Sequence, residues 1–331
     1  MMFVMKREAT LADARRLMQH IESCDLTPVH LPGIERAVIG ALGDERVLAG
    51  LELHGDPMVE SVTPILTPYK LVSREFLGHD TVVGIRNVAV GGKRIVLCAD
   101  YSEYRDVQRA SSILESLVSI GVRLGRIRSP SIGAALYSAR EDSSEQVPSL
   151  AKVGGVPTIV EVGSAADVDA ESVDCLQITG GSMVDVHLLR AAGSWRIPVL
   201  LERGPFASAD ELLLAAERIV AAGNQNVLLC QGGVQTFDGR TSHLDLGEVA
   251  YLKWRSHLPV VVDVCRGAAS ADLIEPLARA AIAAGADALV FGVHTEHERS
   301  AEGHPVVSPD RLARLVQELE PWARAAGRTL S

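Results

Sequence analysis

The stretch that most constrains this chain runs from His257 to Gly267. Pro259 to Val262 is an apolar, mostly β-branched run, the pattern of a strand buried on both faces. It stops at Asp263, followed by Cys265, Arg266 and Gly267, so a buried strand delivers a carboxylate, a thiol and a guanidinium to its C-terminal end. A helical pattern over 272–284 follows and stops at Gly285, a favoured helix-terminating residue. A second apolar strand, Ala288 to Phe291, then delivers His294, Glu296 and His297.

This unit recurs. Candidate strands lie near 94–99, 122–126, 157–161, 174–178, 197–201, 226–230, 259–263 and 288–293, with helical patterns such as 104–120, 209–222, 245–256 and 272–284 between them. Ser208 with Glu211 forms a capping box, and Ser308-Pro309-Asp310 opens a last helix with proline at a favoured position. Eight strands, each followed by a helix or crossover, predict a (β/α)8 TIM barrel within an α/β fold. An open doubly wound sheet is the alternative, weakened because no Gly-x-Gly-x-x-Gly follows the first strand.

Residues 1–68 read as a small ferredoxin-like α+β domain. A strand is expected at Phe3 to Met5, a helix capped by Thr10 and running to Ser23, a strand at Ala37 to Gly40, a helix over 45–53 and a strand at 59–63. Residues 69–93 form a connector with a hairpin pattern, and 94–331 the barrel. The net charge of −10 argues against a nucleic-acid or anionic-membrane surface. No apolar run approaches the roughly 20 residues of a membrane span. The five cysteines show no paired spacing and read as reduced thiols of a cytoplasmic protein.

In a barrel the C-terminal strand ends converge on one mouth, where chemistry sits. The polar residues at those ends are Asp100, Tyr101, Arg126, Arg128, Glu161, Gln177, Thr179, Glu202, Arg203, Gln231, Gln235, Asp263, Cys265, Arg266, His294, Glu296 and His297. A strand-end carboxylate serves as readily to pair a neighbouring arginine as to catalyse. Cys265 reads as structural rather than nucleophilic. His294 fits either a role in the mouth or a hydrogen-bonded structural one. A Schiff-base aldolase needs a lysine inside the barrel, but Lys6, Lys70, Lys93, Lys152 and Lys253 all fall outside the strand ends.

The segments Pro68-Tyr69-Lys70-Leu71-Val72-Ser73-Arg74-Glu75-Phe76, Pro198-Val199-Leu200-Leu201, Ala221-Ala222-Gly223-Asn224, Ser256-His257-Leu258-Pro259-Val260 and Asp272-Leu273-Ile274 together resemble the 3-deoxy-D-arabino-heptulosonate 7-phosphate (DAHP) synthases. The likeness is to the short bacterial type with an N-terminal ferredoxin-like domain; the related 3-deoxy-octulosonate phosphate synthases share the barrel. The resemblance implies joining of phosphoenolpyruvate to erythrose 4-phosphate on a divalent metal. The metal ligands would be a Cys after strand one, a His after strand seven, and a Glu and an Asp at and after strand eight. It also implies a homo-oligomer, dimer or tetramer, and an N-terminal domain that binds an aromatic amino acid.

The chain departs from that pattern at the chemistry. Tyr101 stands where the family has Cys, Arg266 where it has His, and Gly292 where it has Glu; Glu302 occupies the Asp position. A cation in a metal position repels the metal and stands in for its charge. The family's Lys-Pro-Arg-Thr has no counterpart in Arg126-Ile127-Arg128-Ser129-Pro130. Lys-Arg-Gly becomes Glu202-Arg203-Gly204, and two arginines are lost around Gln231 and Gln235. Each lost arginine–phosphate fork removes about 1.5–3 kcal/mol or more.

These substitutions predict a repurposed enzyme with no metal and no cofactor. It would run lyase-, isomerase- or aldol-like acid–base chemistry on a small anionic substrate, a carboxylate or shikimate-related compound of specialised metabolism. Glu202, Asp263, His294 and Tyr101 are the expected proton-moving groups; Arg126, Arg203, Arg266, Gln231 and Gln235 are the expected substrate contacts. Two alternatives stand beside it: a non-catalytic paralogue that partners an active synthase, and a working DAHP synthase.

Overall fold

The computed structural model describes all residues except 33–36, 44–46, 48–55, 64–66, 103–106, 128–154, 163–172, 236–241, 297–298, 301–302 and 331. It divides into two compact units, Met1–Gly78 and His79–Ser331.

In the first unit β1 (Met2–Met5) is the central strand. It pairs antiparallel with β3 (Ala37–Leu42) and β4 (Val59–Thr63), and β3 pairs with β2 (Thr27–Pro32), giving the order β2-β3-β1-β4. That is the ferredoxin-like order. Helix α1 (Leu11–Ser23) starts at Thr10, whose side chain accepts from the Asp13 N–H while Asp13 bonds back to the Thr10 N–H. Its apolar stripe of Ala14, Leu17 and Ile21 packs on Phe3, Met5 and Ile39. The connector residues Leu71 and Phe76 close over Gly40, where a Cβ would sit 3.1 Å from the Phe76 ring. The helix expected over 45–53 lies outside the described residues.

The second unit is a closed eight-stranded parallel barrel. Its strands are β7 (Arg94–Asp100), β8 (Val122–Ile127), β9 (Thr158–Val162), β10 (Cys175–Ile178), β11 (Val199–Glu202), β12 (Val227–Gln231), β15 (Val260–Asp263) and β16 (Ala288–Gly292). They pair in sequence, and β16 closes on β7 with Gly292 opposite Asp100. Helices α2 (Val107–Ser119), α3 (Val186–Ser194), α4 (Ala209–Ala221), α5 (Leu246–Arg255), α6 (Ile274–Ala284) and α7 (Pro309–Ala325) follow the strands. The Ser208–Glu211 capping box opens α4, Asp245 caps α5, and Ser308 with Pro309 opens α7. The TIM-barrel expectation is met. Sequence patterning did not single out α3, or β17 (Thr329–Leu330), which adds in parallel to β7.

Strand alternation fixes what faces the lumen. Val96, Cys98, Leu124, Ile159, Cys175, Leu200, Leu228, Cys230, Val261, Ala288 and Val290 form one buried cluster with the hairpin β5 (Val83–Ile85) and β6 (Val88–Val90). The hairpin therefore plugs the N-terminal end of the barrel with Val83, Ile85, Val88 and Val90. Two residues above this apolar floor, on the same face of their strands, come Asp100, Arg126, Glu161, Gln177, Glu202 and Asp263.

Candidate active site

Arg126 is the largest fully buried side chain among the described residues. It projects from β8 into the lumen. Its Nε and Nη2 donate to Asp100 Oδ2 at 3.0 and 2.7 Å, and Nη2 also donates to Asp263 Oδ2. Burial alone lowers an arginine's pKa, yet Asp263 and then Asp100 hold this one above its ordinary range. Its Nη1 is buried without a hydrogen-bond partner. Asp263 Oδ1 in turn accepts the Arg266 backbone N–H at 3.0 Å.

A second cluster sits across the lumen. Glu202 Oε1 accepts from Arg266 Nη1 at 2.5 Å and Oε2 from Gln177 Nε2 at 2.8 Å. Gly232 permits this, because a Cβ there would come within 2.9 Å of Glu202 Oε1. The two clusters join through Arg266, whose backbone serves one and whose guanidinium serves the other. Glu161, also nearly buried, is the register partner of Gln177 across β9 and β10.

Other expected residues fall elsewhere. Gln231 and Arg203 lie one residue past the inward positions, and their partner is Glu248 in the first turn of α5, outside the strand layer. Gln231 Nε2 donates to Glu248 Oε2 at 3.0 Å, and Arg203 Nε lies 2.7 Å from Glu248 Oε1 without the N–H pointing along that line. Burial pushes the Glu248 carboxyl up to about 7, against the pull of Arg203. Sequence reading missed Glu248: an acid in the first turn of a helix is usually a solvated dipole partner, and only the tertiary fold brings Arg203 to it. Gln235 lies exposed on the short antiparallel hairpin of β13 (Val234–Gln235) and β14 (Ser242–His243).

His294 sits beyond β16, with Nδ1 accepting the Glu296 N–H at 3.0 Å; in the neutral ring the proton is therefore on Nε2. It lines a cavity of about 510 Å³ with Thr295, Glu296, Arg299, Ser308 and Arg311. Glu296 is ion-paired to Arg109. Thr179 caps the turn after β10 and accepts the Ser182 N–H. Arg128, His297 and Glu302 lie outside the described residues.

The metal that the resemblance implies does not fit the donors present. The Tyr101 hydroxyl is buried and 3.2 Å from Thr158 Oγ1, and burial raises its pKa beyond the ordinary tyrosine range. It is a hydrogen-bonding group there, not an anionic ligand. Arg266 is a cation committed to Glu202. At Gly292 a Cβ would lie 3.1 Å from Val306 Cγ1, so a longer side chain has to displace Val306. Cys265 accepts the Gly292 N–H at 3.2 Å, and burial pushes its thiol up to about 12, which suits a structural thiol. Among the described residues no three His, Cys, Asp or Glu side chains converge on one point as a metal site requires.

Comparison with known proteins agrees with this architecture. Residues 1–67 match the model of the DAHP synthase ferredoxin-like domain, and residues 125–320 that of the DAHP synthetase I family. The phospho-2-dehydro-3-deoxyheptonate aldolase of Thermotoga maritima is 34% identical over 334 residues, covering 99% of both chains. A crystal structure of that DAHP synthase superposes with a TM-score of 0.73 over 100% of this chain and 99% of its own, at 32% identity. The 2-dehydro-3-deoxyphosphooctonate aldolase of Magnetococcus marinus is 27% identical over 51% of this chain and 63% of its own. The chain belongs to the DAHP synthetase I family.

Proposed function

We propose that this family member runs metal-independent acid–base chemistry, of lyase, isomerase or aldol type, on a small substrate carrying a carboxylate. One observation carries the reading: Arg266, which the resemblance sets where the family has a metal-ligating His, is held in the site by Glu202, itself held by Gln177. Such a cation supplies fixed charge where an ion would otherwise have supplied it. Arg126 Nη1 is a buried, unused donor in the same lumen and takes a carboxylate oxygen. Arg266, whose side chain is 23% exposed, closes on the substrate from the rim. Glu202 moves the proton, because its carboxylate reaches the lumen and His294 lies at the outer cavity.

The test is a thermal-shift and turnover screen over small carboxylates. The expected result is turnover of at least one, lost in Arg266→Ala while the fold is retained. Silence across the panel overturns the reading.

A second reading, a non-catalytic paralogue, is favoured by the mutual pairing of the lumen charges, Arg126 with two aspartates and Arg266 with Glu202. Recovery of an active synthase with the tagged chain from its source cells supports it. The activity named for the Thermotoga relative is tested directly: metal-dependent phosphate release from phosphoenolpyruvate and erythrose 4-phosphate establishes a synthase and removes both other readings.

A further inference from the structure

The cavity beyond β16 measures about 510 Å³, within the range of small-ligand pockets. It lies between the loops that follow the seventh and eighth barrel strands, β15 and β16, and the first turn of α7. That is the corner of a TIM barrel where phosphate groups are often held. The chemistry of its wall is one-sided. Arg299 Nη1 donates to the Gly303 carbonyl at 2.6 Å and Nη2 to the Ala269 carbonyl at 3.3 Å. Arg311 Nη2 donates to the Ala271 carbonyl at 2.8 Å. Backbone carbonyls fix both guanidiniums without cancelling their charge, and each, with five N–H bonds, keeps donors to spare. Three hydroxyls join them, and each already serves as an acceptor. Ser270 Oγ accepts the Asp272 N–H at 3.4 Å, Ser308 Oγ the Arg311 N–H at 3.2 Å, and Thr295 Oγ1 a bond from Arg109 Nη2 at 3.1 Å. Their O–H bonds are left to donate. Among the described residues the acids on the wall are Glu296, ion-paired to Arg109, and Asp272, whose side chain is 94% exposed and 3.8 Å from Arg311.

A wall of donors calls for a ligand rich in acceptors. A phosphate monoester presents three strong acceptor oxygens and is mostly dianionic at pH 7, which suits two guanidiniums brought in by different segments. The cavity is larger than a bare ion needs, so the organic part of an ester has room beside its phosphate. We propose that this outer cavity binds a small phosphate monoester, its phosphate taken by Arg299 and Arg311 and its other oxygens by the hydroxyls of Ser270, Thr295 and Ser308. The site draws nothing from the lumen chemistry proposed above and stands or falls without it.

Matched probes test it on the full chain by calorimetry at pH 7 and low salt, where screening of an open site is least. Glycerol 3-phosphate and ribose 5-phosphate are compared with inorganic phosphate, glycerol and ribose. At least one ester is expected to bind, more tightly than inorganic phosphate, while glycerol and ribose give no signal. Arg299→Gln and Arg311→Gln are each expected to weaken that ester about tenfold or more. Arg299 is exposed, so its replacement leaves the core intact; tryptophan emission, with Trp322 on α7, checks the fold of both variants. No binding by either ester overturns the site, and so does binding that survives both substitutions. Binding lost in Arg266→Ala but kept in Arg299→Gln belongs to the lumen and overturns it as well. Inorganic phosphate binding as tightly as both esters overturns the ester assignment.

Discussion

Glu248 offers the sharpest energetic test. Burial raises its carboxyl from 4.5 to about 7, and Arg203 and Gln231 only partly offset this. A raised folded-state value means that the neutral acid is the form the fold prefers. Its stabilising contribution is fully present below the unfolded value and is lost as pH rises through the folded one. A shift of about 2.5 units at about 1.4 kcal/mol per unit gives roughly 3 kcal/mol lost between about pH 4.5 and pH 7. Glu248→Gln keeps the shape and the acceptor for Gln231 but cannot ionise. Its stability relative to wild type is therefore expected to be near zero at pH 4.5 and to rise by up to about 3 kcal/mol by pH 8. The assay is urea denaturation at several pH values, followed by tryptophan emission. Trp195, Trp254 and Trp322 all lie in the barrel unit, so the signal reports that unit alone. Subtracting the two curves removes every other titrating group. A difference that stays constant across this pH range refutes the argument and means that Arg203 stabilises the carboxylate as much as burial opposes it.

The remaining expectations concern packing and pairing. Arg126→Met strands Asp100 and Asp263 together without their cation and costs about 3–5 kcal/mol by urea denaturation. Gly125→Ala places a methyl 2.6 Å from Tyr101 Cε1 and costs about 1–3 kcal/mol by the same measurement. Asp287, buried against Lys253 and Arg328, anchors the segment leading into β17. Asp287→Ala is expected to speed hydrogen exchange at Thr329 and Leu330 before it affects β10. Native thiol titration at pH 8 is expected to label Cys24 alone, since the other four thiols are buried.

Much of the fold was legible because each barrel strand carries the same signature, an apolar run broken by a polar residue at its C-terminal end. The strands fell within a residue or two of 94–99, 122–126 and 288–293. The site was legible as a set of positions but not as a set of pairs. Parity along the strand separates Glu202 from Arg203: the first follows Leu200 inward, the second does not. The same parity turns Gln231 away from the lumen, since Cys230 before it faces inward, although both Arg203 and Gln231 stand at strand ends. The bond from Glu248 to Gln231 crosses 17 residues and depends on how α5 docks, which no local pattern encodes. His294 and Gln235 show the reverse limit: both lie beyond the barrel strands, where the alternation of those strands no longer says which way a side chain turns.

The hairpin that stoppers the barrel floor turns the lumen into a blind well rather than a pipe. Whatever reaches Arg126 arrives past the rim and departs the same way, so an occupant must vacate before its successor descends. A product of any reaction run at that depth is therefore expected to inhibit competitively against the substrate.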